Sequence, residues 1–320
     1  MKRREFLKQA GLTAAAVASS STLNASDATP SATIPRRALG KTGEQLSIIG
    51  FGGILVMNEE PDFARELVAG AVDRGVNYFD VAPSYGDAQA KLGKALAPYR
   101  NKSFLACKTD GRMKDDSRAD LEQSLKLLQT DHIDLYQFHA LTKMTDLDKV
   151  LGPGGAMETM EAAKKEGKIR YIGFSAHSVE TALAALDRYK FDTVLFPVNW
   201  VLYHQARFGP QIVTRAQEKE VGMLALKGMA KSVWAPNEKA HHPFPKCWYE
   251  PAHFPGEASL FLRWTLSQPI TAAIPPGDPR LFLVACSVAQ NLKPLEAHEE
   301  QLLLNSARGI EPIFHLGNDV

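Results

Sequence analysis

The chain has 320 residues, of which 45% are hydrophobic and 23% charged, and its 37 basic and 36 acidic side chains leave a formal net charge of +1. This composition is typical of a globular protein with a large core, and it excludes a disordered chain and a disulfide-stapled miniprotein. No basic block lies beyond the N-terminus, which argues against a nucleic-acid partner. Three widely spaced cysteines predict neither a disulfide framework nor a zinc site, and no metal is expected.

Residues 1–28 have the layout of a cleavable export signal. The positively charged head contains Lys2, Arg3, Arg4 and Lys8. A short apolar run and then small residues lead to a cleavage site after Ala25 or Ala28. The arginine pair followed by Phe-Leu-Lys resembles a twin-arginine signal, by which folded proteins are exported. The alternative is an amphipathic N-terminal helix.

The signal interpretation predicts a bacterial periplasmic protein that engages the twin-arginine export machinery. The mature chain would then run over residues 29–320. The apolar run of the signal is too short to span a bilayer, and no stretch of 18 apolar residues follows it. Stable insertion into a membrane is therefore not expected.

The mature chain alternates apolar runs with amphipathic stretches. The predicted strands are Leu46–Gly50, Val76–Ala82, Phe104–Thr109, Ile133–His139, Ile169–Ser175, Thr193–Asn199, Gly222–Lys227 and Ile270–Pro275. The predicted helices are Asp62–Arg74, Gln89–Ala97, Ser117–Gln129, Ala156–Lys165, Ser178–Tyr189, Pro210–Glu220, Glu257–Ser267 and Pro279–Asn291. Near-continuous hydrophobic runs are typical of parallel strands covered on both faces. Eight strand–helix units predict an α/β fold, the (β/α)8 TIM barrel.

A doubly wound sheet is the alternative fold. It usually has a Gly-x-Gly-x-x-Gly turn after its first strand, and the segment Gly50-Phe51-Gly52-Gly53 lacks that spacing. The barrel also accounts for a long loop after strand seven, Gly228 to Phe254, which carries five aromatic residues and four prolines. Because active sites lie at the carboxyl-terminal face of such barrels, this loop is interpreted as a substrate lid. A surface excursion with its own small cluster is the alternative.

Three consecutive predicted strands end in polar residues. Asp80 ends strand two, Lys108 strand three and His139 strand four, and Tyr85 lies on the loop after strand two. Taken singly, Asp80 could cap a helix, Lys108 could extend to solvent and His139 could be a hydrogen-bonded core histidine. Charged groups at the tips of apolar strands are costly unless they are paired, so their joint placement at one face indicates a catalytic site.

This set of side chains suits the reduction of a carbonyl group. Hydride addition leaves an oxygen that needs a proton, and a tyrosine with a pKa of about 10 is a weak acid at neutral pH. The Lys108 ammonium would lower the pKa of Tyr85, and Asp80 would keep that lysine charged. His139 would donate an N–H to the carbonyl oxygen.

The same residues, in their contexts, resemble the aldo-keto reductases. The resemblance runs from about Pro35 to Leu304 and includes Arg37-Ala38-Leu39-Gly40, Phe79-Asp80 with Tyr85-Gly86, and Gly167-Lys168-Ile169-Arg170. It implies a catalytic tetrad of Asp80, Tyr85, Lys108 and His139. It also implies a barrel, NADP(H) as cofactor with NAD(H) as the alternative, and reduction of a small aldehyde or ketone.

The cofactor positions match the family less well. Where the family usually has Ser-Asn after strand five, Gln on strand six and Tyr after strand seven, this chain has Ser175-Ala176, Leu195 and Leu226. Losing a hydrogen bond costs roughly 1 kcal/mol, so weaker binding than is usual for the family is expected. The predicted cofactor-binding residues are Ser175, Asn199, Lys227 and Arg280, the last for a 2′-phosphate despite its neighbour Asp278. His177 is a further candidate to compensate.

Two functions are consistent with these observations. The first is an exported NAD(P)H-dependent oxidoreductase in which Tyr85 is the general acid. The second is an exported barrel that keeps the tetrad but binds a ligand without turnover, because residues that usually hold the nicotinamide are replaced. The complete tetrad favours the enzyme. Neither the substrate nor the oligomeric state follows from the sequence.

Overall fold

Eight parallel strands form the centre of the computed structural model, which describes residues 33–317. The strands in the described residues are β1 (Arg36–Ala38), β2 (Gln45–Ser47), β3 (Phe51–Gly52), β4 (Tyr78–Asp80), β5 (Phe104–Thr109), β6 (Ile133–Phe138), β7 (Ile169–Ser175), β8 (Thr193–Pro197), β9 (Gly222–Leu226), β10 (Ala230–Val233), β11 (Tyr249–Pro251) and β12 (Ala272–Ile274). The main sheet runs in the order β12-β9-β8-β7-β6-β5-β4-β3, with every pair parallel.

A single bridge closes this sheet into a barrel. Ile49 pairs with Ala273 in parallel orientation. The Gly50 amide donates to the Ala273 carbonyl at 3.0 Å, and the Ala273 amide donates to the Ile48 carbonyl at 2.9 Å. The predicted (β/α)8 barrel is therefore confirmed.

The first predicted strand, Leu46–Gly50, is wrong in its bounds. The segment Gln45–Ser47 belongs to an antiparallel hairpin with Arg36–Ala38, and the barrel strand Phe51–Gly52 begins four residues later. Both segments lie in one apolar run, so hydrophobicity alone could not separate them. The other seven predicted strands each contain the observed one.

The helices cover the outside of the barrel. In the described residues they are α1 (Pro61–Asp73), α2 (Ala88–Leu96), α3 (Lys114–Leu128), α4 (Met144–Leu151), α5 (Ala156–Lys165), α6 (Val179–Arg188), α7 (Pro210–Glu218), α8 (Pro255–Ser267), α9 (Pro279–Gln290) and α10 (Ala297–Ala307). All eight predicted helices are present within a few residues of their predicted bounds. Ser178 caps α6 by accepting the Thr181 amide.

Alternating residues of the strands face two different environments. Inside the barrel, Leu135, Leu195 and Leu224 belong to a compact apolar cluster. The outward side chains, such as Leu105 and Cys107, pack in the larger core between strands and helices. This alternation turns Cys107 away from the barrel axis and turns its neighbour Lys108 inward.

The long segment after β9 is more ordered than the sequence analysis predicted. Residues 230–233 and 249–251 form an antiparallel hairpin, so the segment predicted as a long loop contains two short strands. The Trp234 indole N–H donates to the Cys247 carbonyl at 2.9 Å. Lys246 fastens the hairpin to the other side of the barrel mouth by donating to the Leu55 carbonyl at 3.1 Å and to Glu59 at 3.2 Å. Within residues 33–317, no helix is both long and apolar enough to cross a membrane.

Candidate active site

The strand register places the polar side chains side by side at the carboxyl-terminal end of the barrel. Asp80 is the last residue of β4 and pairs in register with Ala106, two residues before Lys108. Lys108 in turn lies opposite Gln137 of β6. Because side chains alternate along a strand, all three point into the barrel.

Lys108 and Asp80 form a buried ion pair. The Lys108 ammonium donates to Asp80 Oδ1 and, at 3.2 Å, to the Val81 carbonyl. Asp80 Oδ2 accepts from Gln137 Nε2 at 3.0 Å and from the Tyr78 hydroxyl at 3.4 Å. Burial lowers the pKa of Lys108, but the Asp80 carboxylate and Tyr85 together raise it by more, so the lysine is charged.

Tyr85 lies next to this ion pair, on the loop after β4. The Lys108 Nζ atom is 5.4 Å from the centre of the Tyr85 ring. Burial raises the pKa of Tyr85; the Lys108 ammonium acts in the opposite direction, and the Asp80 carboxylate adds to the increase. The Lys108 ammonium thus acts in the expected direction, but the net shift of the Tyr85 pKa is upward because burial and the nearby carboxylates outweigh it. The phenol is protonated throughout the neutral pH range.

His139 follows directly after β6, one residue beyond the observed strand end. Its Nδ1 atom lies 2.6 Å from Asp110 Oδ1 and 3.3 Å from Ser84 Oγ. The ring stands edge-on to Tyr85, with 5.9 Å between the ring centres. The structure thus brings all four tetrad positions together.

A cavity of about 280 Å³ opens beside these groups, just below the size range typical of ligand pockets. All four tetrad residues line it. Opposite walls are apolar, with Leu195 and Leu226 from neighbouring strands. The cavity could hold a planar ring and a small carbonyl compound at once, but it is too small for a whole dinucleotide.

Two of the four predicted cofactor residues, Ser175 and Lys227, line this cavity. The Ser175 hydroxyl accepts the Ala140 amide at 2.8 Å and keeps its own O–H to donate. Lys227 lies over the rings of Tyr249 and Trp248, at 4.6 and 5.2 Å from their centres, and adopts a left-handed backbone with φ of 67°. Burial lowers the pKa of Lys227 to about 8. Among the described residues no carboxylate pairs with it.

The other two predicted cofactor residues do not line the cavity. The amide of Asn199 is fully used by the backbone: it donates to the Lys227 and Ala230 carbonyls and accepts from the amides of residues 201 and 202. Arg280 pairs with Asp278 through two contacts, at 2.9 and 2.8 Å, and donates to the Pro243 carbonyl. The structure therefore places these two residues outside the cavity wall.

Several residues that line or support the site were not predicted. Lys246, Trp248 and Tyr249 reach the cavity from the β10–β11 hairpin, and Asp110 contacts His139 from the loop after β5. His177, by contrast, was named as a further candidate from the sequence; it lines the cavity, where burial lowers its pKa to about 3 and keeps it neutral. A signal for Asp110 exists in the sequence, since it lies two residues beyond Lys108 at the same strand end.

The comparisons with known proteins agree with this geometry. The model of the aldo/keto reductase family matches residues 48–247, more than half of the chain. An aldo-keto reductase of Bacillus subtilis, YhdN, is 33% identical over 162 residues, which are 45% of this chain and 47% of the relative. The L-galactose dehydrogenase of Arabidopsis thaliana is 30% identical over 176 residues, which are 50% of this chain and 54% of the relative. The alignments thus span about half the length of these relatives.

A solved structure supports the same assignment over more of the chain. A putative aldo-keto reductase from Pseudomonas aeruginosa superposes with a TM-score of 0.66 at 26% identity, over 83% of this chain and 100% of that chain. The chain therefore belongs to the aldo/keto reductase family, whose members are oxidoreductases that use nicotinamide cofactors.

Proposed function

We propose that this protein reduces a small aldehyde or ketone to the alcohol with NAD(P)H, and that Tyr85 is the general acid. The observation that carries the proposal is the convergence of a protonated phenol, a buried lysine–aspartate pair and an imidazole on one cavity. These groups surround a space in which a carbonyl oxygen would receive hydrogen bonds from two sides.

The residues at the other side of the cavity fit a nicotinamide. Leu195 and Leu226 supply an apolar wall for a ring face, and Ser175 has an O–H to donate to a carboxamide. Lys227 has no carboxylate partner in the described chain, which suits a ligand that carries phosphates. When bound, a reduced nicotinamide supplies the hydride. NADP(H) is the cofactor proposed from the family, with NAD(H) as the alternative, because Arg280 is already engaged by Asp278.

The protein's own side chains carry out the remaining steps of the reduction. Tyr85 holds its proton at the hydroxyl oxygen until charge develops on the substrate oxygen. Lys108, kept charged by Asp80, stabilises the tyrosinate that forms. His139 lies edge-on to the tyrosine ring, where it would donate a hydrogen bond to the same oxygen. The alternative of a ligand-binding barrel without turnover is not favoured, since it gives this arrangement no role.

We also propose that residues 1–28 are a twin-arginine signal and that residues 29–320 act in the periplasm. Support comes from the arginine pair and the small residues that follow it. This segment lies outside the described residues.

A titration followed by a substrate panel tests the proposed function. NADPH and NADH are each added to the protein while tryptophan fluorescence is recorded, because Trp248 lies over Lys227 at the cavity. Aldehydes, ketones and aldoses are then offered with the cofactor that binds. Saturable quenching and cofactor oxidation with at least one carbonyl compound are expected. Quenching without turnover over the whole panel would support the ligand-binding alternative.

A further inference from the structure

The contact between Asp110 and His139 is held in place from both sides. The amides of Asp110 and Gly111 each donate to Asp120 Oδ2 at 3.0 Å, which fixes the turn after β5. Arg112 donates to the Asp110 carbonyl at 3.2 Å and to the His139 carbonyl at 2.7 Å, so it joins the two backbones. The contact of 2.6 Å between the Asp110 carboxylate and His139 Nδ1 is therefore fixed by the hydrogen bonds around it.

This contact decides which nitrogen of His139 carries the proton in the neutral ring. The hydrogen bond from His139, with Arg112 and Ser84 contributing, lowers the pKa of Asp110, so the carboxylate is ionised and can only accept. Nδ1 must then carry the hydrogen. In a neutral imidazole the other nitrogen, Nε2, has a lone pair and no hydrogen.

We propose that Asp110 is a positioning residue that makes hydrogen-bond donation by His139 to the substrate oxygen conditional on protonation of the imidazole. The inference rests on the proposed function, in which a carbonyl oxygen lies between Tyr85 and His139. A neutral ring presents its Nε2 lone pair to that oxygen and repels it. The imidazolium presents an N–H and polarises the carbonyl. Carbonyl reduction is therefore favoured at lower pH, although Tyr85 remains protonated.

The charged groups around His139 come from several elements. Asp110 and Arg112 lie on the loop after β5, with Lys108 at the end of that strand. Tyr85 faces the ring from the loop after β4. His177, after β7, interacts with both His139 and Lys227 and is neutral at physiological pH. Among these groups, Asp110 is thus the negatively charged one that accepts a hydrogen bond from the imidazole.

The tautomer can be read without cofactor or substrate. Full-length protein labelled with ¹⁵N-histidine is studied by long-range ¹H–¹⁵N NMR over a pH series, and the form of the ring with a single N–H hydrogen is examined. The His139 signals are those that disappear in His139→Gln. We expect a protonated Nδ1 and a lone pair on Nε2. In Asp110→Ala, the tautomer with hydrogen on Nε2 should become populated. If Ser84 still accepts from Nδ1 in that variant, the same change should appear in Ser84→Ala/Asp110→Ala. A wild-type protein with hydrogen on Nε2, or a double variant with an unchanged tautomer, overturns the proposal.

The pH profile of reduction supplies the second readout. As the pH rises, the wild-type rate with saturating NAD(P)H should fall by about tenfold or more in total, and that of Asp110→Ala by less than about threefold, because its neutral imidazole can donate through Nε2. Asp110→Asn keeps the size of the side chain and should behave like Asp110→Ala. Asp115→Asn removes an exposed carboxylate from the first turn of α3 and should retain the wild-type profile.

The outcomes separate the two proposals. If Asp110→Ala lowers the rate equally at every pH, its role is structural and the inference fails. If the wild type reduces no carbonyl compound with either nucleotide, the proposed function fails, and the NMR experiment still decides whether Asp110 sets the tautomer.

Discussion

The hydroxyl of Tyr85 lies among groups that act on its proton in opposite directions. Burial and the carboxylates of Asp80 and Asp110 hold the proton on the phenol, whereas the Lys108 ammonium favours its release. A phenol with a raised pKa stays protonated at neutral pH, which a proton donor requires, and the lysine then acts mainly when charge develops on the oxygen.

Replacing Tyr85 tests this role directly. Tyr85→Phe keeps the ring and its packing and removes the proton, so the rate of carbonyl reduction should fall at least about a hundredfold, the range for loss of a general acid. The affinity for NADPH should change little. Steady-state reduction of an accepted aldehyde and a fluorescence titration measure the two effects. A variant that retains more than about a tenth of the wild-type rate would show that the proton comes from another group.

The lysine–aspartate pair also contributes to stability. Lys108→Met leaves the Asp80 carboxylate buried without its cation, and loss of one partner of a buried pair typically costs about 3–5 kcal/mol. Urea unfolding of the variant should show a loss of this size. Lys114→Met breaks an exposed pair with Glu158 and should cost less than about 1 kcal/mol. Equal losses in the two variants would contradict the assigned role of burial.

The sequence was sufficient to predict that Asp80, Tyr85, Lys108 and His139 lie together, but not which residues support them. Asp80, Lys108 and His139 stand out because a polar side chain ends an otherwise apolar strand. Asp110 lies in a turn of mixed polar residues, and its contact with His139 depends on how Asp120 folds that turn. Whether Asn199 faced a ligand or the backbone depended on a loop conformation that hydrophobic patterning does not describe.

At the scale of the elements, the helices α4 and α10 were not among the eight predicted. Their sequences differ in how clearly they indicate a helix. The sequence of α4 has apolar residues at 144, 147, 150 and 151, a helical spacing that could have predicted it. The apolar residues of α10 are less clearly segregated, since Leu302 and Leu304 are exposed whereas Leu303 is buried. Polar contacts also hold this helix: Arg263 of α8 donates to both carboxylate oxygens of Glu299 at 2.7 Å.

The contact between Arg263 and Glu299, which attaches α10 to α8, should depend on pH. The hydrogen bonds from Arg263, followed by the Glu296 amide, lower the pKa of Glu299 to about 2 from an ordinary value of 4.5. A depressed carboxyl pKa contributes stability above the ordinary value, and this stability is lost as the pH falls toward 2. Amide exchange in residues 297–307, corrected for the intrinsic rate, should therefore quicken between about pH 5 and 3.

The matched variants are Glu299→Gln and Glu300→Gln in the same turn. The first should remove the acid-dependent quickening and exchange faster at pH 6 than the wild type. The second changes an exposed carboxylate in the first turn of α10 and should keep the wild-type response. An identical acid response in the wild type and in Glu299→Gln would show that the Arg263 contact does not hold the helix.

At the scale of the molecule, the barrel could be predicted because its strand–helix unit occurs eight times in the sequence. Each strand is apolar on both faces and each helix on one, so an error in one unit, such as strand one, does not change the count. The closure could not be predicted in detail. It depends on contacts between Ile48, Gly50 and Ala273, more than 220 residues apart in sequence.

Closure of the barrel also bears on the proposed export. Lys108 and Asp80 come from neighbouring strands, and the cavity includes residues from Gly52 to Gly277, so the site exists only in the folded chain. A nucleotide cofactor could be loaded where it is made only if the protein folds before transport. The twin-arginine pathway accepts folded proteins, which is consistent with this requirement.

The arginine pair provides the test of the export proposal. Arg3→Lys combined with Arg4→Lys keeps the positive charge but removes the pair that the export machinery reads, so the precursor should stay in the cytoplasm. Fractionation and immunoblotting measure the distribution, and mass spectrometry of the exported form locates the cut after Ala25 or Ala28. Lys8→Arg preserves both the charge and the pair and should be exported like the wild type. Recovery of the double variant from the periplasm at the wild-type level would show that another signal directs the chain.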